Sequence, residues 1–338
     1  TRSVSAFLLN RSSDLAISSI TGGDNTGGIV GYINWAQLNN CHTDAIVNGG
    51  DYTGGVVGKV VGEDNGAMRT NVIDCLYMGN HVSGSGNTHH AVVGGYTEDT
   101  GYYVSRCYYT NRGMEGKAED DVYAVQVSFT KGDGYTIKLN NALTCNGITY
   151  CATDGSSTFS VSASDAYHTI TSVTLNYDEI GTAAGTYNFS LAAESDICYL
   201  GVTTGTVFEG NGTEESPFLL SSVDDWNRFA QLVSGGNSFN GKFVKVNANI
   251  SGITTMVGTS QVDNKNFQGT FDGGAPTYQL TFAINSTEGY AAPFHYVKNA
   301  TIKNVKMDGT FNVGNYGTGL VGYNAGTTRI ENVHVVET

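Results

Sequence analysis

A short glycine-rich segment that keeps returning is the strongest constraint on the fold. Thr26-Gly27-Gly28-Ile29-Val30-Gly31-Tyr32 recurs as Thr53-Gly54-Gly55-Val56-Val57-Gly58-Lys59, in degraded form as Ala91-Val92-Val93-Gly94-Gly95-Tyr96, and again as Thr318-Gly319-Leu320-Val321-Gly322-Tyr323. Ala292-Pro293-Phe294-His295-Tyr296 fills the same slot with its glycines lost. Gly31 and Gly58 are 27 residues apart, as are His295 and Gly322. Self-similarity at a fixed period of this size means a stacked repeat, each unit too small to bury its own apolar face.

Each copy has a companion segment. Leu38-Asn39-Asn40-Cys41-His42-Thr43, Val72-Ile73-Asp74-Cys75-Leu76-Tyr77 and Val104-Ser105-Arg106-Cys107-Tyr108-Tyr109 share a pattern with Ile302-Lys303-Asn304-Val305-Lys306-Met307 and Ile330-Glu331-Asn332-Val333-His334-Val335. The pattern runs apolar, any, polar, Cys or Val, any, apolar. Side chains alternate faces along a strand, so its last three positions read in, out, in. The glycine-rich half supplies a further short strand whose small residues allow turns and close rung-to-rung approach. Two or three short strands per turn at this period predict an all-β chain built on a right-handed parallel β-helix.

The repeats resemble the GLUG-motif family of bacterial surface proteins, with Gly319-Leu320-Val321-Gly322 near its Gly-Leu-small-Gly consensus. The resemblance covers roughly residues 15–110 and 208–338. It implies an extracellular, adhesin-like protein without catalysis, whose signal and anchor lie outside this segment.

Composition sets limits on partners. Charged residues make up 14%, Gly numbers 45 against 3 Pro, and Tyr reaches 20, a profile suited to aromatic strands joined by Gly and Asn turns. A hydrophobic fraction of 40% is enough for packed cores. The net charge of −14 argues against nucleic acid and against anionic lipid headgroups, both of which select basic surfaces. No apolar run is long enough for a membrane helix.

The organisation reads as three parts: repeats over 1–120, a sandwich over 121–207, and a capped second repeat segment over 208–338. In the middle part, alternating runs at Tyr123–Phe129, Tyr135–Leu139, Gly147–Tyr150, Thr158–Val161, Thr169–Tyr177, Thr186–Leu191 and Ile197–Val202 suggest an immunoglobulin-like β-sandwich. Phe208 to Pro217 has a linker's composition. A single helix is expected over Val223 to Val233, with Ser222 and Asp225 as a capping box and Trp226 on its apolar face, covering the first rung of the second segment. Because the second segment has a cap and the first has an ending, the two read as complementary halves. Head-to-tail self-association through open rungs is one expected mode of assembly.

Chemistry is sparse. Cys41, Cys75 and Cys107 fill the slot held elsewhere by Val305 and Val333, so a ladder of buried reduced thiols is expected. Cys145, Cys151 and Cys198 lie apart; one pair could bridge, and an odd thiol remains. No CxxC or HxxxH spacing suggests zinc, and no cofactor motif is present. A β-helix polysaccharide lyase or hydrolase is the enzymatic alternative, but hydrolysis needs two carboxylates on one face, about 5–9.5 Å apart. Asp44, Asp74, Asp272 and Asp308 read as turn residues instead, and Glu119-Asp120-Asp121 as a solvated linker. A purely structural stalk is a third possibility. One outward column stands out: His42, Leu76 and Tyr108, widened by Tyr102 or Tyr103, suits sugars or protein partners. Its structural alternative is burial of the same column under the sandwich.

Overall fold

A computed structural model describes residues 19–62, 69–85, 89–97, 101–189 and 196–336. Half of it, 50%, is strand and 4% helix, and its main architecture is a parallel β-solenoid of about 11 turns in all. The chain falls into two compact units, residues 1–163 with 170–203, and residues 164–169 with 204–338. The apolar run Val4, Phe7, Leu9, Leu15 and Ile17, which the sequence suggests is a partial rung, and the turn-forming pairs Asn65-Gly66 and Gly86-Asn87 lie outside the described residues.

In the first unit each coil adds strands to parallel stacks. Ser19–Thr21, Ile46–Asn48 and Val82–Ser83 form one stack. The glycine-rich segments form another flank, with Val30–Asn34 on Val57–Val61 and Thr53–Gly54 beside His89–His90. The companion segments form the last, through Gln37–Asn39 and His42–Thr43, Thr70–Tyr77, and Tyr102–Tyr109. Cys107 sits opposite Cys75. Val47, Val56, Val57, Val60, Val72, Cys75 and Val82 fill the interior, fully buried. Each aliphatic side chain so buried contributes about 1.5–3 kcal/mol.

The repeated glycines have a steric cause. A Cβ on Gly55 would overlap the carbonyl oxygen of Ala91 on the next rung and the Tyr77 ring, and one on Gly54 would overlap the Val57 carbonyl and the Gly94 nitrogen. The closing glycines Gly31 and Gly58 both lie against the backbone of Asn25, a residue in the left-handed region at φ 57°. The polar slot of the companion segment is also left-handed. Asn40, Asp74, Arg106, Asn304 and Asn332 have φ values of 53°, 60°, 52°, 58° and 47°. Asn and Asp tolerate this region because their short polar side chains bond locally, whereas other residues lose about 1–2 kcal/mol there. The exception, Arg106, forks onto the Asp74 carboxylate one rung below.

In the first unit, residues 122–163 and 170–203 supply two facing sheets, of six and three strands. Ala124–Phe129 pairs antiparallel with Ile148–Ala152 and parallel with Ile197–Thr206. The smaller sheet is antiparallel throughout, from Tyr135–Asn140 through Thr158–Ala163 to Gly185–Asn188. All seven expected strands are present with shifted ends. Two more, Leu143–Cys145 and Asp178–Gly181, complete the larger sheet. Leu143–Cys145 is half of a hairpin closed by Asn146 and Gly147, both at positive φ. That dipeptide is among the strongest short-range hairpin signals.

The second unit begins as a capped solenoid. The helix spans Val223–Ser234; the Ser222 hydroxyl accepts from the Asp225 N–H, and the Asp225 carboxylate accepts from the Ser222 N–H. Trp226, Phe229, Ala230 and Val233 are buried from its apolar face. Below it, Phe218–Leu220, Phe243–Val246, Thr270–Asp272, Thr301–Lys303 and Arg329–Glu331 stack in one sheet. Ile250–Ile253, Leu280–Ser286, Lys306–Val313 and His334–Val335 stack in a second, and Phe294–Lys298 lies on Val321–Ala325 in a third. Asn332 donates to Asn304 Oδ1 at 2.9 Å and Asn304 to Asp272 Oδ1 at 3.1 Å, a polar ladder down one corner. The stretch from Phe208 to Pro217 is more than a linker. Phe208 is buried against Phe218 and Phe239, and Glu209 bridges Leu219 antiparallel.

Candidate functional site

The expected column exists in register; the sandwich covers its Leu76 and Tyr108, while His42 at its end stays exposed. His42 and Tyr108 both lie opposite Leu76 on successive rungs. Leu76 is 1% exposed and Tyr108 4%, packed with Ala124, Leu143, Cys145, Tyr150 and Ala152 of the sandwich. The amide of Asn146, at the tip of the hairpin, hydrogen-bonds His42 Nε2 at 3.2 Å. Burial there pushes the Tyr108 phenol above its ordinary value. The outward apolar residues of the companion strands are therefore where the sandwich rests, not a face offered to a ligand. Tyr102 and Tyr103 do not join this column. They lie opposite Thr70 and Asn71, about 16–20 Å along the strand from Tyr108. Tyr102 stacks on Tyr96 with ring centroids 4.8 Å apart, and Tyr103 points to solvent.

The thiols form the expected ladder. All six cysteines are free; Cys41 and Cys75 are buried and Cys107 is partly exposed. Each sulfur also meets a backbone carbonyl, Cys41 that of Asn39 at 3.3 Å, Cys75 that of Ile73 at 3.4 Å and Cys107 that of Ser105 at 3.5 Å. Hydrogen bonding from Cys75 pulls Cys41 down to about 7 and lowers Cys107, while its position between the two raises Cys75 strongly.

The acidic run is partly structural. Asp121 Oδ2 accepts the Ala91 and Ala118 N–H groups at 2.7 Å each. His90 Nδ1 lies 3.5 Å from a carboxylate oxygen of Asp120 and of Asp121. The hydrogen bond to Asp121 raises the His90 pKa, with burial opposing it. A folded value above the unfolded one, about 6.5, makes the interaction fully stabilising below that pH. The contribution disappears as pH rises through the folded value. Urea midpoints should therefore fall more between pH 6 and pH 8.5 in the native sequence than in His90→Gln. Equal falls would remove His90 from the account.

Of the four aspartates read as turn residues, Asp44 lies between two strands and Asp272 ends one, whereas Asp74 and Asp308 lie inside strands, Asp74 at a left-handed corner. Asp74 holds Arg106, and Asp272 caps its own turn through the Gly274 N–H at 2.9 Å. Asp308, in the Lys306–Val313 strand, is buried, with Oδ2 accepting from the Gln279 amide at 2.6 Å. Among the described residues no group of three or more His, Cys, Asp or Glu is placed to hold a metal ion, and no helix is long and apolar enough to cross a membrane.

What the solenoid does present is tyrosine on its glycine-rich flank. In the first unit Tyr32 and Tyr96 are exposed at the exits of their segments. In the second unit the corresponding Tyr296 and Tyr323 lie opposite one another on adjacent rungs, ring centroids 5.7 Å apart. Tyr290 stacks on Tyr316 at 5.0 Å and meets Tyr323 edge-on at 5.2 Å. Tyr316 is 71% exposed. The sequence signal for this flank is that Tyr32, Tyr96, Tyr296 and Tyr323 each end a repeat. No family model, curated protein or solved structure matches this chain.

Proposed function

We propose that this is a non-enzymatic, adhesin-like protein of the bacterial cell surface, of the GLUG-repeat kind, that presents its solenoid flank to glycans or extracellular proteins. The observation that carries this reading is the tyrosine flank. Phenol rings expose an apolar face and a hydrogen-bonding edge at once, the combination enriched at recognition surfaces. The sandwich is read as an immunoglobulin-like spacer, supported by the parallel pairing of its first and last long strands. An acidic protein with solvent-facing tyrosines selects neutral or cationic partners over nucleic acid or anionic membranes.

The test is one plate of neutral and charged glycans, mucin and matrix proteins, assayed twice. Saturable binding without release of reducing or unsaturated sugar is expected. Sugar release would replace the adhesin with the lyase or hydrolase alternative. Silence in both assays would leave the solenoid as a stalk.

A further inference from the structure

The geometry points to a glycan-binding platform in the second unit, built on Tyr290 and Tyr316 and flanked by Tyr296 and Tyr323, for neutral pyranose polymers. This deepens the adhesin reading and rests on it.

The first argument is backbone conformation. Tyr290 and Tyr316 have φ values of 64° and 62°, in the left-handed region that bulky side chains avoid. The same station in the first unit is held by Asn25 and, one rung on, by Tyr52, which at φ 58° is a third tyrosine left-handed at this station. Asn25, at φ 57°, donates its N–H to the Asp51 carbonyl at 2.7 Å, as Tyr290 donates to Asn315 at 3.0 Å. The Asn25 backbone packs on the closing glycines Gly31 and Gly58, as the Tyr290 carbonyl packs on Gly322. Asparagine is the inexpensive solution at this station, and tyrosine is a strained one. Strain of this kind collects where a side chain is needed for something other than the fold.

The second argument is arrangement. Tyr290 and Tyr316 stack face to face, 16° from parallel, so their rings are ordered before any ligand arrives. Pre-ordered side chains lose little entropy on binding. Behind them His295 is buried, its Nε2 2.9 Å from the Gly289 carbonyl and its ring 4.3 Å from Tyr296. That contact ties down the turn that carries Tyr290.

The third argument is charge, and it selects the ligand. Among the described residues, cations lie over Tyr52, Tyr109, Tyr123, Tyr167 and Phe218, but over none of these four rings. Glu288, exposed and 3.7 Å from His295, places a carboxylate beside the platform, and Lys298 follows Tyr296 two residues along its strand. An anionic glycan would meet this carboxylate and a protein of net charge −14. A neutral pyranose offers its C–H face to a ring and its hydroxyls to phenol oxygens, with no charge to oppose.

The experiment uses the whole 338-residue chain. Affinity electrophoresis and calorimetry are run with mixed-linkage β-glucan, galactomannan and amylose, with alginate and heparin as charged controls and mucin and matrix proteins beside them. Binding to at least one neutral polymer is expected, weakened tenfold or more in Tyr290→Asn/Tyr316→Asn, with no fall in urea midpoint, since Asn suits the backbone. Should that variant lose its fold, protection of Tyr316 from tetranitromethane by the bound polymer, read by peptide mass in the native chain, decides instead. Undiminished binding by a folded variant, or no protection, would overturn the platform and leave the adhesin reading intact. Binding only to charged glycans or proteins would overturn the ligand class alone. No binding to any of them would overturn both.

Discussion

Replacing Trp226 by alanine is expected to remove about 3–5 kcal/mol from the second unit, the usual cost of truncating a fully buried tryptophan. The indole is 0% exposed and meets Phe229, Phe271, Phe282 and Phe294 edge-on, at centroid distances from 5.2 to 5.9 Å. Its Nε1–H donates to the Thr255 carbonyl at 3.1 Å, so truncation also strands a partly buried acceptor. The helix that carries it covers apolar residues that would otherwise meet water, so the cavity opens at the point where the stack begins. Against total stabilities of about 5–15 kcal/mol, a loss of this size leaves the unit barely folded. Urea unfolding followed by far-ultraviolet circular dichroism reads it. Asp225→Ala, which removes the acceptor for the Ser221 and Ser222 N–H groups and so opens the capping box, supplies a scale at about 0.5–2 kcal/mol. If Trp226→Ala costs no more than Asp225→Ala, the helix is an ornament and not a cap.

Gly55→Ala should be nearly as damaging although it adds a single carbon. Overfilling a packed site ordinarily costs about 1–3 kcal/mol. Here one obstacle is a main-chain carbonyl on the next rung, Ala91, and the other is the Tyr77 ring, whose hydroxyl is fixed to the Ala45 and His81 carbonyls at 2.8 and 2.7 Å. Neither can step aside without opening the rung, which puts the expected loss at the top of that range. Gly23→Ala is the matched control. A Cβ there meets nothing within 4 Å, so its effect should stay within about 0.5 kcal/mol, on the stabilising side if anything. Equal effects at the two positions would mean that the motif's glycines serve backbone freedom and not close approach.

The repeat was readable because sterics and burial act on every rung alike. Gly55 and Cys75 each sit against the neighbouring coil, so the 27-residue spacing of the motif is a direct image of the stack. The helix was readable because its cap and its apolar face agree over one contiguous stretch. Burial of Leu76 and Tyr108 was only one of two readings, because a partner surface belongs to a distant part of the chain. An outward apolar side chain looks the same in sequence whether a ligand or a sandwich covers it. Phe208 was concealed by its polar, glycine-rich neighbours. Asp308 was hidden because a buried carboxylate depends on Gln279, 29 residues away. The tyrosine flank was visible letter by letter, but its left-handed backbone at Tyr290 and Tyr316 was not, since only Asn25 among the equivalents advertises that conformation.

The parallel pairing inside the sandwich has a mechanical consequence. Gln126 to Phe129 runs beside Ile197 to Leu200 in the same direction, four residues against four. Tension applied at the two ends of the sandwich drags these strands past each other lengthwise. Their hydrogen bonds are then loaded together, in shear, and must fail as a group. An antiparallel pair pulled from one end would unzip bond by bond at far lower force. In sequence order this clamp falls between the two solenoid segments.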